Sequence, residues 1–140
     1  MTSIALTGGL PALRIGELIA SLPIVQGGMG VGISLSRLAS AVANEGGIGV
    51  ISAAMIGAAE PDIATNPIEA NIRALRREIR AAKEKIKDGL LGVNVMMALS
   101  NVADLVKTAI EERVDIVFAG AGLPMDLPKY LVDGAKTKLV

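Results

Sequence analysis

The chain has 140 residues, 14 Lys plus Arg against 14 Asp plus Glu, 51% hydrophobic residues, 16 Gly and no Cys, His or Trp. This length suits one domain, and the apolar content is too high for a disordered chain. Without Cys or His there are no disulfides, no thiol catalysis and none of the commonest transition-metal ligands, so no metal site is expected. A net charge of zero argues against a nucleic-acid or anionic-membrane surface. The start has no basic segment leading into an apolar stretch, so the expected location is cytoplasmic.

In chain order, Leu13 to Ser21 is expected as a lead-in helix, within a lead-in segment covering residues 1–21. The longest charge-free run, Leu18 to Ser36, carries four glycines, three serines, Gln26 and Pro23, so it is no membrane span. Leu22 to Gln26 reads instead as a buried strand running into a glycine loop. Ser34 to Asn44 follows as a helix ended by Gly46-Gly47, then Ile48 to Ser52 as a strand. The clearest helix is predicted from Pro67 to Asp88. Its residues Ile68, Ile72, Leu75, Ile79, Ala82 and Ile86 form one stripe at alternating spacings of four and three. Asn66 suits its cap, Glu69 a capping box, and Gly89 its end. Leu91 to Met97 is a strand, Ser100 caps a helix through Ile110, Val114 to Ala119 is a strand, and a short helix spans Pro128 to Asp133. Thr137 to Val140 resembles a further strand beginning.

The apolar runs are continuous rather than alternating, as in parallel strands covered on both faces. A five-stranded doubly wound sheet fits this length but should close with a helix over its last strand. A (β/α)8 barrel takes about 250 residues. The expected fold is therefore α/β: the N-terminal half, about four and a half units, of a TIM-type barrel whose strands occupy 22–140, with its second half missing.

In either architecture ligands meet the carboxyl ends of the strands. The first strand runs into Gln26-Gly27-Gly28-Met29-Gly30, where glycine admits a flat ligand or simply a tight turn. Neither a Walker loop nor a dinucleotide fingerprint is present. Ser52 ends the second strand, as a ligand contact or a hydroxyl bonded to backbone. Asn94 is a polar side chain in an apolar strand and shares a face with Met96; it is a ligand contact or a self-satisfied core amide. Gly120-Ala121-Gly122 ends the fourth strand, lining a site or giving a loop room. Between Arg73 and Lys87, seven basic residues face two acidic ones; the reading is a solvated outer helix with local pairs Glu69–Arg73 and Arg80–Glu84.

Leu22-Pro23-Ile24-Val25-Gln26-Gly27-Gly28-Met29, then Leu38 to Ile51, Gly92-Val93-Asn94-Val95-Met96 and Gly120-Ala121-Gly122-Leu123-Pro124 together resemble the nitronate monooxygenase family. FMN-dependent enoyl-acyl-carrier-protein reductases share these motifs, and inosine-phosphate dehydrogenases do so more distantly. The resemblance implies an FMN barrel that oxidises alkyl nitronates with O2. It places Gln26, Gly27, Gly28, Met29, Ser52, Asn94 and Met96 at the flavin, and Gly120, Ala121 and Gly122 at the substrate.

The family's catalytic His has no counterpart in this chain, nor have its later phosphate loops. No catalytic residue is assigned here, and the 140-residue chain alone is expected to be inactive, as a fragment. The alternatives are an enoyl reductase, which would also need a site for NAD(P)H, and a non-catalytic half-barrel that binds or scaffolds. Open half-barrel edges further predict self-association, which a monodisperse monomer in light scattering would refute.

Overall fold

The structure, a computed structural model, describes residues 9–140. A hairpin, β1 (Leu13–Ile15) and β2 (Leu18–Ala20), precedes α1 (Ser36–Asn44), β3 (Ile48–Ser52), α2 (Pro67–Lys85), β4 (Leu90–Met96), α3 (Val102–Glu111), β5 (Ile116–Gly120) and β6 (Lys138–Leu139). Strands β3, β4, β5 and β6 pair in that order, all parallel. The fold is α/β, a partial (β/α) barrel.

Alternation along the strands divides the core in two. Ile51, Leu91, Val93, Val95 and Val117 point to the helices and pack with Leu75, Ile79, Leu105, Val106 and Ala109. Ile48, Val50 and Ile116 point the other way, into the barrel interior, where Ala20 and partly buried Leu13, Ile15 and Leu18 meet them. Helix α1 lies so close to β3 that a Cβ on Gly49 would stand 1.8 Å from the Ala39 carbonyl oxygen. Only glycine allows that approach.

Several expectations need correction. Leu13 to Ser21 is a hairpin, not a helix, in the part of the lead-in segment that lies within the described residues. Gly16 has φ of +60°, which suits the first central position of a two-residue turn. The turn brings Leu13, Ile15, Leu18 and Ala20 onto the strands' amino ends. Leu22 to Gln26 is no continuous strand; Val25 makes an isolated parallel bridge to Ile48. The Gln26 amide donates to the Ile48 carbonyl and the Ile48 amide to the Ile24 carbonyl. The Gln26 side-chain Oε1 then accepts from the Val50 amide at 3.0 Å, so a carboxamide occupies the next rung.

Helix α2 stops at Lys85 because Ile86 turns extended. The Lys87 amide donates to Asn44 Oδ1, and the Asn44 Nδ2 donates to the Lys85 carbonyl. Asn66 makes no side-chain cap bond, and Asn101 rather than Ser100 precedes α3. Helix α1 begins at Ser36, not Ser34, and Glu78 of α2 accepts from its Ser36 amide at 3.0 Å. The short last helix is a 3-10 turn at Leu127–Tyr130. The basic residues of α2 pair at long range: Arg73 and Arg77 with Glu60, Arg76 with Glu111, and Arg80 with Glu112.

Candidate functional site

Parallel pairing places the carboxyl ends of β3, β4, β5 and β6 on one side, and the expected site residues gather there. Ser52 stands opposite Asn94, Asn94 opposite Phe118, and Met96 opposite Gly120. The mouth is stitched by backbone bonds from one strand end to the next: Val31 N–H to Ala54 O, Ala53 N–H to Asn94 O, and Met97 N–H to Gly120 O.

The glycine loop after Gln26 is held by Ser34, which the sequence reading takes only as a helix start. Its hydroxyl donates to the Gly27 carbonyl at 3.2 Å and accepts from the Met29 amide at 3.0 Å. Its amide donates to the Met29 carbonyl and its carbonyl accepts from the Ser52 amide. Ser34 is only 1% exposed, so all its polar groups are used out of water. The signal that could have found it is a hydroxyl residue two positions ahead of the helix, free to bond the preceding loop.

Gly28 lies directly on Asn94. A Cβ there would come within 2.7 Å of the Asn94 Cβ and 2.9 Å of its Oδ1. The Asn94 amide nitrogen in turn donates to the Phe118 carbonyl at 3.3 Å. Gly27 and Gly120 face open space, with nothing within 4 Å of an added Cβ. Met29 and Met96 are exposed beside them. The predicted substrate-side residues divide: Gly120 is open, whereas Gly122 abuts the Met97 side chain. At the mouth, two buried polar atoms lack partners among the described residues, Gln26 Nε2 and Ser52 Oγ. Ser52 sits beneath Gly30, whose added Cβ would be 3.7 Å from the hydroxyl.

Three of the loops carry a non-glycine residue in the left-handed region: Val31 at φ 53°, Met55 at 51° and Ala121 at 54°. For β-branched Val31 this is a costly conformation, of the kind concentrated at ligand sites.

The segments that leave the strand ends carry no charge of their own, although Glu78 of α2 reaches the Ser36 amide. No charged residue occurs in 26–36, 52–59, 96–103 or 119–125. The nearest carboxylate after β3, Glu60, is held below its usual range by hydrogen bonds from Arg77 and Arg73. Among the described residues no cluster of His, Cys, Asp or Glu could hold a metal, and no helix is long and apolar enough to cross a membrane. Two other concavities lie elsewhere. One of about 590 Å3 is on the outer face of α2, and one of about 1080 Å3 lies at the amino end beside Lys107, Asp115 and Lys136. Both are lined by mixed charges, away from the carboxyl ends of the strands.

The nitronate monooxygenase family model matches residues 14–134. The chain belongs to the nitronate monooxygenase family. Among solved structures it is similar to FabK from Thermotoga maritima, at 33% identity and a TM-score of 0.60 over 84% of this chain and 32% of that one. A mutant of the same Thermotoga maritima protein matches at 31% identity and a TM-score of 0.64, over 84% of this chain and 34% of that one. The chain thus spans about a third of the length of these structures. No curated protein matches it.

Proposed function

We propose that this mouth forms one part of an FMN site, and that the protein carrying it oxidises alkyl nitronates with molecular oxygen. The observation that carries the reading is the ledge at the strand ends. Gly28 is laid flat on Asn94, Gly27 and Gly120 open onto empty space, and Met29 and Met96 stand beside them. Such a surface fits a planar ring, and Gln26 Nε2 is a buried donor still wanting an acceptor. Family membership over residues 14–134 supports the same assignment.

Gln26, Gly27, Gly28, Met29, Ser52, Asn94 and Met96 would hold the flavin, with Gly120, Ala121 and Gly122 toward the substrate. Flavin, when bound, supplies the electron transfer; the protein supplies orientation and surroundings. Ser34 fixes the loop that bears Gly27 and Met29, and Asn94 fixes the seat of Gly28. No side chain in the charge-free stretches can move a proton at neutral pH.

The test is fluorescence quenching of FMN by the chain. Saturable quenching is expected, weakened about tenfold or more in Gly28→Ala because the new methyl displaces Asn94. Failure of the native chain to quench would overturn the flavin reading and favour a non-catalytic half-barrel. With alkyl nitronate and FMN the 140-residue chain is expected to consume little or no oxygen; steady consumption would show that a proton-moving group has been missed. A second reading, the FMN-dependent enoyl-acyl-carrier-protein reductase, is favoured by the likeness to FabK. NAD(P)H oxidation driven by an enoyl thioester, without nitronate-driven oxygen uptake, would select it.

A further inference from the structure

We propose that Glu78, a carboxylate of the outer helix layer, is a positioning residue for the glycine loop. By accepting from the Ser36 amide it leaves the Ser34 hydroxyl to hold Gly27 and Met29 in place for the flavin. The inference rests on the reading of this mouth as part of an FMN site, and it adds to that reading a residue outside the mouth.

Helix α1 opens directly out of the glycine loop and has no cap of its own. Its N-cap residue is Leu35, whose side chain has nothing to accept with, and its first turn carries no acidic residue. The hydroxyl just ahead of it, on Ser34, is committed to the loop instead: it donates to the Gly27 carbonyl and accepts from the Met29 amide. Ser36 is only 6% exposed, so its amide has little water to turn to. Glu78 Oε2 meets that amide at 3.0 Å from 42 residues away. Without it a buried donor would carry its desolvation cost unrelieved.

The group placed to take over is the one the loop depends on. A serine hydroxyl commonly accepts from the amide two residues on, and Ser36 is two residues past Ser34. A Ser34 hydroxyl turned to that amide lets go of Gly27 and Met29. The base that prevents this is firm. Glu78 is 15% exposed at its side chain, with Oε1 3.9 Å from Arg77 Nε, on a helix whose Leu75, Ile79 and Ala82 are fully buried. The Ser34 backbone ties the same loop to β3, donating to the Met29 carbonyl and accepting from the Ser52 amide. A loop that holds its seat only part of the time binds more weakly by that fraction.

The experiment compares two variants in the full chain. Glu78→Gln keeps an acceptor at the same reach, whereas Glu78→Asp keeps the charge but is one methylene short. Amide hydrogen exchange is followed at Met29, Ser34 and Ser36, with the buried sheet residues Val93 and Val117 as reference, and FMN affinity by fluorescence quenching. Glu78→Asp is expected to speed exchange at the three loop amides about fivefold or more, as for the loss of one net hydrogen bond, and to leave the reference amides unchanged. FMN affinity should fall by a similar factor, and Glu78→Gln should behave as the native chain. In a Ser34→Ala background Glu78→Asp should have no further effect at Met29. Unchanged exchange at Met29 in Glu78→Asp would overturn the proposal, as would a loss shared equally by Val93 and Val117, or Glu78→Gln behaving as Glu78→Asp. A localised change in exchange with FMN affinity unaltered would overturn the positioning role. Failure of the native chain to bind FMN would overturn the flavin reading alone, and the exchange pattern would still decide the hold of Glu78 on the loop.

Discussion

The two ends of this sheet are built on opposite principles. At the amino end the β1–β2 hairpin lays Leu13, Ile15, Leu18 and Ala20 over Ile48, Val50 and Ile116, and the packing between them is apolar. At the carboxyl end the interior positions of the same strands hold Ser52, Asn94 and Gly120, and large apolar side chains stand in solvent around them. One end carries stability. The other leaves apolar surface exposed, polar atoms unpartnered and backbone strained, the features on which the proposed ligand site rests.

Truncation at the two ends gives the largest contrast. Ile48→Ala opens a cavity at a fully buried position and is expected to cost about 3 kcal/mol. Leu123→Ala removes a side chain of similar volume that is 82% exposed, and is expected to cost less than about 0.5 kcal/mol. Urea unfolding of both variants measures the difference. Comparable losses would mean that the mouth is packed like the amino end, and the division between them would fall.

How far the sequence foretells these ends differs as well. The α2 stripe and the run Ile48 to Ser52 are legible because each is decided by its own residues. The helix start at Pro67 and the strand bounds of β3 agree with the reading. The hairpin is not legible, because its apolar residues alternate only once Gly16 takes a positive φ. The ion pairs are equally hidden. Arg80 has Glu84 one turn away, yet it bonds Glu112 through both Nε and a terminal nitrogen, a choice made by how α2 packs on α3. At the mouth, Gln26, Gly28 and Asn94 stand out by residue type. That Gly28 seats on Asn94, and that Ser34 ties the loop, depends on contacts between segments far apart in the chain.

That long-range pairing supplies a smaller effect away from both ends. Glu112 is held below the ordinary carboxylate value of 4.5, first by hydrogen bonding from Arg80 and then by the charges of Arg80, Arg76 and Lys83. A carboxylate whose folded pKa is depressed stabilises fully above its unfolded value, and that contribution is lost as pH falls through the folded one. Glu112→Gln should therefore lower the unfolding free energy measured in urea at neutral pH, by no more than about 1 kcal/mol for so solvated a pair. Its deficit should shrink as pH falls below 4.5. A deficit constant across that range would mean that the pair contributes through packing, not charge.

The smallest expected effect is the sharpest for the mouth. Ser52 is 2% exposed and its hydroxyl has no hydrogen-bond partner, so the fold bears its desolvation without return. Ser52→Ala removes that burden and should leave stability unchanged within about 0.5 kcal/mol, or raise it slightly. The same change at a hydroxyl that works, Ser34→Ala, removes the bonds to Gly27 and Met29 and should cost about 1 to 3 kcal/mol. If Ser52→Ala also costs that much, the Ser52 hydroxyl already has a partner in the free protein, and the carboxyl end is closer to a finished core than to a waiting site.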